Sequence, residues 1–321
     1  MDTFVALEAA LREQGIAELP RVPRHEILAR KLSYADTAAA LSLLGCGWTA
    51  LPDALWEMTD LTLLALGEDP LTSISGRLGD LKWLSYLYIY NTDVMALPES
   101  MGTLRKLSVL DLGHNRLTAI PDVLGDLLEL TFLYLTDNQL TALPESLFRD
   151  MRRLVYLNVG DNQLTALPET IVNLTALEEL RTDNNRLAAL PDAVDRLTRL
   201  KELHARNNQL TALPESIGEL TSLRRLYLQG NQLAALPDAI GKLARLTELD
   251  LRNNRLIELP GSIGDLHRLA YLDLRGNKLT QLPDSLGDLP NLEKLDLRWN
   301  PLDGLPGWIE RLQARGCSVY V

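Results

Sequence analysis

Three aspartates, Asp250, Asp273 and Asp296, recur at a spacing of 23 residues, each inside Leu-Asp-Leu-Arg. If each triplet lies on one of three adjacent strands, the carboxylates stand about 5 Å apart, near the separation used by retaining glycosidases. That column is the chain's best candidate for acid-base chemistry on a carbohydrate or nucleotide. Against it, Arg252, Arg275 and Arg298 follow two residues later on the same strands. An Asp/Arg checkerboard neutralises itself by cross-strand pairing and keeps the carboxylates ionised, which is wrong for a general acid. The reading adopted is therefore a salt-bridge ladder, with the enzyme, or a cation site, as the alternative.

The remaining reactive residues are scattered. The histidines are His25, His114, His204 and His267; His114 and His204 fall four periods apart, about 19 Å in a stacked sheet and too far to share a metal. Cys46 and Cys317 sit nearly at opposite ends, and no histidine can be assigned as a base for Cys46, so a buried, inert thiol is expected. Gly45-Cys46-Gly47 is too short for a dinucleotide fingerprint, and there is no P-loop. No catalytic residue, metal ligand or cofactor is assigned.

The element that must position these residues is a repeat. Leu104, Leu107, Leu110, Leu112, Asn115, Leu117, Ile120 and Pro121 return as Leu127, Leu130, Leu133, Leu135, Asn138, Leu140, Leu143 and Pro144. The asparagine column continues through Asn162, Asn185, Asn208, Asn231, Asn254 and Asn277 to Asn300. Earlier periods keep the leucines but carry Thr92, Asp69 and Cys46 in that column, and Thr182 replaces a leucine before Asn185. Twelve periods follow from this register. Leu-x-Leu has the two-residue period of a strand, and the Leu-Pro segment that follows cannot continue it.

Each period thus reads as one coil of a solenoid, with Leu110, Leu133, Leu157, Leu180, Leu203, Leu226, Leu249, Leu272 and Leu295 as a buried ladder. Asparagine, with donors and an acceptor, suits the bend where the strand ends. Proline fits the first position, and glycine the end, of a short turn on the opposite side, as in Pro214 to Gly218. Residues 1–40 read as a helical cap, with Phe4, Leu7 and Leu11 at helical spacing; 41–306 as the solenoid; 307–321 as a closing half-repeat with Trp308, Ile309, Leu312 and a strand at Val319 to Val321.

With these columns in place the chain resembles the leucine-rich-repeat family, in its 23-residue L-x-x-L-x-x-L-x-L-x-x-N-x-L-x-x-L-P class, over roughly residues 41 to 306. The Ras-suppressor-like, plant intracellular and bacterial effector-type repeats share that pattern. The resemblance implies an α/β right-handed solenoid: a curved, parallel, concave sheet, with short 3-10 or helical turns on the convex side. It also implies a non-catalytic protein-protein recognition module or scaffold. The bias toward Ala, Arg, Asp and Leu suggests a GC-rich bacterial genome, and bacterial relatives include effectors.

On the concave face an outward side chain has no core role. Coil by coil these positions hold Tyr86, Tyr88 and Tyr90, then Val109, Asp111 and His114, then Phe132, Tyr134 and Asp137, then Tyr156, Asn158 and Asp161. In a chain with only 5% aromatics this concentration reads as a partner-binding patch with an acidic margin. Asp111, His114, Asp137 and Asp161 would favour a partner bearing a basic segment. Later coils turn to charge, with Tyr227, Tyr271 and Trp299 as the aromatics there.

The net charge of −11 over 321 residues argues against nucleic acid and anionic membrane as partners. The first residues lack a basic segment and no apolar run reaches membrane-spanning length. A cytoplasmic protein is expected, with delivery into a host cell by a specialised secretion system left open. The final strand offers an unpaired edge, so a self-assembling structural protein is a third reading, although a monomer is expected over a homodimer.

Overall fold

The computed structural model describes residues 40–321; the expected amino-terminal helices and His25 lie outside them. Two compact units divide at Leu154 and Val155.

In the first unit, Leu-x-Leu alternation produces five parallel strands in sequence order: β1 (Ala40–Leu44), β2 (Leu63–Gly67), β3 (Tyr86–Tyr90), β4 (Val109–Asp111) and β5 (Phe132–Tyr134). The second unit holds β6 (Tyr156–Asn158), β7 (Glu179–Arg181), β8 (Glu202–His204), β9 (Arg225–Tyr227), β10 (Glu248–Asp250), β11 (Tyr271–Asp273) and β12 (Lys294–Asp296). Helix α1 (Trp308–Ala314) then buries Trp308, Ile309 and Leu312, and β13 (Ser318–Tyr320) pairs with β12.

Register follows the repeat. Leu110 pairs with Leu133 in the first unit, and Leu157, Leu180, Leu203, Leu226, Leu249, Leu272 and Leu295 pair in succession in the second. None of these nine leucines exposes more than 2% of its surface. Where Thr182 stands in for a leucine, it is fully buried and its hydroxyl donates to the His204 carbonyl at 3.0 Å.

In the coils that carry it, asparagine closes the bend by using its amide donors and its acceptor together. Asn231 Nδ2 donates to the carbonyls of Ala205 (2.8 Å) and Leu228 (2.9 Å), while its Oδ1 accepts from Leu210 N at 3.0 Å. One side chain therefore satisfies backbone groups of its own coil and of the coil before it. Asp69 has no amide to donate and only accepts, from Gly47 N (2.5 Å) and Trp48 N (3.2 Å). Thr92 donates its hydroxyl to Asn115 Oδ1 and accepts from Val94 N.

The residue before this column carries a second requirement. His114, Asp137, Asp161, Asn184, Asn207 and Asn253 all have φ between 50° and 55°, and Gly230 and Gly276 lie at 71° and 65°. This left-handed conformation favours Gly, Asn and Asp, which explains that column's composition. Trp299 occupies the same position at φ 62° with 73% of its surface exposed.

On the side opposite the sheet the crossings are short 3-10 turns such as Glu99–Thr103, Glu215–Glu219 and Asp238–Lys242. The expected roles of proline and glycine shift by one step. Pro214 precedes the turn in extended conformation (ψ 149°), and Gly218 lies inside it. A Cβ on Gly218 would strike the Ala239 carbonyl, so glycine is there to let adjacent coils approach and not to end a helix. Among the described residues no helix is long and apolar enough to cross a membrane.

Candidate functional site

In the first unit the outward positions of β1 to β5 gather into a small apolar cluster separate from the leucine ladder. Leu63, Ala65, Tyr88 and Val109 are buried, with Tyr86, Tyr90, Phe132, Tyr134 and Leu44 packed against them. Strand register sets the cluster: Ala65 pairs with Tyr88, Tyr88 with Asp111, and Asp111 with Tyr134.

Three residues expected on the exposed surface are not there. Val109 exposes 3%, Tyr88 7% and Asp111 5% of its surface. Tyr88 stands in the middle of the cluster, where neighbours on both flanking strands cover it. Asp111 is short, lies between longer side chains, and turns its Oδ1 back to accept from Gly113 N at 3.0 Å. The half-exposed aromatics are Tyr86, Tyr90, Phe132 and Tyr134. At the acidic margin, His114 Nδ1 and Asp137 Oδ2 are 2.8 Å apart, both exposed. Their left-handed backbone gives these residue types a turn-forming reason as well as a surface one.

Tyr156, Asn158 and Asp161 belong to the second unit. Tyr156 pairs with Glu179 and Asn158 with Arg181. Asn158 Oδ1 accepts from Gly160 N at 3.0 Å, and exposed Asp161 accepts from Asn184 Nδ2 at 2.7 Å.

Further along the second unit the outward face is polar and internally paired. Arg181 binds Glu179 at 2.5 Å, and Arg225 bridges Glu202 (2.8 Å) and Glu248 (3.2 Å). Among them His204 exposes 4% of its surface. Its Nε2 lies 3.3 Å from Glu202 Oε2 and 4.0 Å from Glu179 Oε1, and its Nδ1 is buried without a hydrogen-bond partner. Burial, reinforced by Arg181 and Arg206, pulls the imidazole down to about 4, so it is neutral near pH 7. Glu179, Glu202 and His204 are metal-ligand types with atoms mutually within 4.8 Å. Two of the arginines already neutralise the glutamates, and a dication would enter against the guanidinium charges that depress His204.

The Asp/Arg column forms a ladder, but its strong rungs run along strands and not across them. Arg252, Arg275 and Arg298, two residues past the ends of β10, β11 and β12, bind Asp250, Asp273 and Asp296 of their own coils, each at 2.7 Å. Cross-strand links are longer, at 3.5 Å from Arg252 to Asp273 and 3.4 Å from Arg275 to Asp296. Each arginine follows the strand's last residue by two positions, near enough for its planar guanidinium to lie beside the carboxylate that ends the strand. Burial opposes ionisation of Asp296, yet the bonds from Arg298 outweigh it and hold the carboxyl below its ordinary range. A carboxylate so held is a poor general acid.

Cys46 is half-buried, not fully buried, with Sγ 3.6 Å from the Leu44 carbonyl. Burial first, and Asp69 second, push its thiol up, which disfavours the nucleophilic thiolate.

Parallel strands that recur with the sequence period, with short 3-10 turns on the opposite side, define a repeat solenoid. Sequence comparison identifies the class. Profiles described as leucine-rich repeat region match residues 146–232 and 214–300, and two others described as leucine rich repeat match 96–140 and 291–312. The chain belongs to the leucine-rich-repeat family.

No curated protein matches it in sequence. Among solved structures, an internalin, InlF of Listeria monocytogenes, is 21% identical with a TM-score of 0.69, over 99% of this chain and 94% of that one; at that identity the likeness shows the fold. The plant peptide hormone receptor RGFR1, in complex with RGF2, is 28% identical over 84% of this chain and 52% of the receptor chain, with a TM-score of 0.63. A structure from an octameric complex of Latrophilin 3, Unc5D and FLRT2 is 26% identical over 81% of this chain and 83% of that one, with a TM-score of 0.66.

Proposed function

We propose that this chain is a non-catalytic recognition module that holds a protein partner on its sheet face, anchored in the first unit by Tyr86, Tyr90, Phe132 and Tyr134. One observation carries the reading: these aromatics keep part of their surface open around a buried centre, the composition of interface hot spots. The protein complexes of RGFR1 and FLRT2 lend support at the level of the family. Against an enzyme stand the engaged carboxylates and the upward-shifted thiol. The exposed carboxylate of Asp137 and the net charge of −11 favour a basic segment on the partner. Tyr156, Asn158 and Asp161 are kept as a separate contact in the second unit.

The setting proposed is a bacterial protein acting as a monomer in a cytoplasm, its own or that of a host reached by specialised secretion. Composition and two unpaired cysteines support this.

The test is affinity capture followed by titration of the partner against variants. Tyr134→Ala and Tyr86→Ala are expected to weaken binding by about 1 to 3 kcal/mol each, with Ile257→Ala, exposed outside the cluster, as the silent control. A partner held equally by all three would place the site elsewhere.

A further inference from the structure

The sheet face of the second unit has a shallow cavity of about 190 Å³ lined by Tyr227, Glu248, Asp250, Tyr271, Asp273 and Lys294. It arises because two short aspartates sit between taller neighbours on β9, β11 and β12. Cofactor and drug-sized pockets begin at roughly 300 Å³, so this one is scaled to a side chain.

Its chemistry is set by which lining groups still have capacity. The carboxylates of Asp250 and Asp273 each receive a backbone N–H, an arginine Nη2 and an arginine Nε shared between both oxygens, so each oxygen has two contacts and little acceptor capacity is left. Glu248 accepts one bond on each oxygen, from Arg225 Nε at 3.2 Å and from the Tyr227 hydroxyl at 2.6 Å. About half of its acceptor capacity is open, and its side chain is 32% exposed. Burial, and after it the bond to Glu248, pushes the Tyr227 phenol up to about 12, so the hydroxyl stays a donor and the glutamate the acceptor. Tyr271, 46% exposed, donates to Glu293 at 2.8 Å. The amine in the lining, Lys294, lies 5.6 Å from the Tyr320 ring. The Tyr227 ring already carries a guanidinium, that of Arg206, at 4.3 Å from its centroid.

We propose that this cavity receives a basic side chain, lysine or arginine, from the protein partner, with Glu248 as its counter-charge and the tyrosine rings as walls. Asp250 and Asp273 are neutralised by their own arginines, so the choice of a basic guest over an acidic one rests on the open acceptor capacity of Glu248 and on the exposed Tyr271 ring, whose face attracts cations. The proposal rests on reading the sheet face as a recognition surface, but it uses none of the aromatic anchors of the first unit. It therefore names a second, separable contact.

The probe is a tetralysine peptide, acetylated and amidated at its ends, titrated into the full chain by calorimetry at about 0.1 M salt, where exposed charges more than about 10 Å apart are screened. Tyr271→Ala is expected to weaken binding at least fivefold. This variant alters no charge, so a general attraction of the peptide to an acidic protein would survive it. Glu248→Gln should weaken binding by as much, while Glu258→Gln, an exposed control with the same charge change, should change it less than twofold. Thermal melting of each variant reports folding; should Glu248→Gln fail to fold, Tyr271→Ala decides alone. No binding to the unmodified chain, equal binding by Tyr271→Ala, or equal losses in the two glutamate variants would overturn the proposal. Tyr134→Ala should leave tetralysine binding unchanged while reducing partner capture, so failure here and failure of the first-unit anchor give different results.

Discussion

His204 shows how one residue on a polar face departs from ordinary behaviour. Burial and the adjacent arginines lower its imidazole from 6.5 to about 4, so the fold favours the neutral ring. Above pH 6.5 the ring is neutral in folded and unfolded chains alike, and its full contribution is present. Between 6.5 and about 4 the unfolded chain takes up a proton that the fold resists, and stability falls by up to roughly 3 kcal/mol. Other groups act in the same direction or against it. Asp296, held down by Arg298, adds a loss at lower pH, whereas Asp183, raised by burial, favours the fold as it protonates. Subtraction isolates the histidine: urea unfolding of the native chain and of His204→Gln near pH 7 and near pH 4 should show the variant losing less stability on acidification. Parallel loss in both would mean that the ring titrates normally. The tyrosine-rich segment was legible at this scale and its depth was not, because alternation assigns a face to Tyr88 and Asp111 but cannot tell which of several neighbours ends up covered. The left-handed column was legible too, in Asn184, Asn207, Gly230, Asn253 and Gly276, had backbone demand been weighed beside surface charge at His114, Asp137 and Asp161.

Within a coil, the strand and the bend are stabilised by different means, and their substitutions should be distinguishable. Leu203 has no exposed surface and sits mid-ladder between Leu180 and Leu226; Leu203→Ala should cost about 2 to 5 kcal/mol through lost burial and the cavity left behind. Asn231→Ala removes little apolar area but strands the carbonyl of Ala205 and the N–H of Leu210, while the Leu228 carbonyl keeps its bond from Asn254 Nδ2 at 3.0 Å. Each group left unpaired costs about 1 to 3 kcal/mol, so the total should rival the leucine unless water enters the bend. Hydrogen exchange separates the two, since the Leu210 amide should lose protection in Asn231→Ala beyond the global change and not in Leu203→Ala. If it behaves alike in both, the asparagine is not what protects that amide. The ladder and the asparagine bend were legible because both follow from period and donor count. The place of proline before the turn, and of Gly218 within it, was not, because the close approach of neighbouring coils is a tertiary constraint that no single repeat displays.

At the scale of the whole molecule, charge decides what the recognition face can attract and how fast. With 43 acidic and 32 basic side chains, the unbalanced charge opposes the approach of polyanions and favours that of cationic surfaces. Much of the acidic charge on the second unit's sheet face is neutralised locally, Glu179, Glu202, Asp250, Asp273 and Asp296 each lying against an arginine. Those pairs shape the near field at the sheet, so selection there depends on groups such as Glu248, which is also paired with Arg225 but keeps acceptor capacity on each oxygen, while the unbalanced remainder sets the far field. Long-range attraction acts on the approach of a partner more than on the docked complex. Raising the salt from about 0.01 M to about 0.15 M shortens the screening length from about 30 Å to about 8 Å. For the captured partner, the association rate should then fall by about tenfold or more, while dissociation, governed by the desolvated aromatic contacts, changes by less than about twofold. Stopped-flow mixing across that salt range measures both. An association rate indifferent to salt would mean that the partner is not basic and would remove the electrostatic part of the reading, leaving the aromatic anchors to be judged by Tyr134→Ala alone.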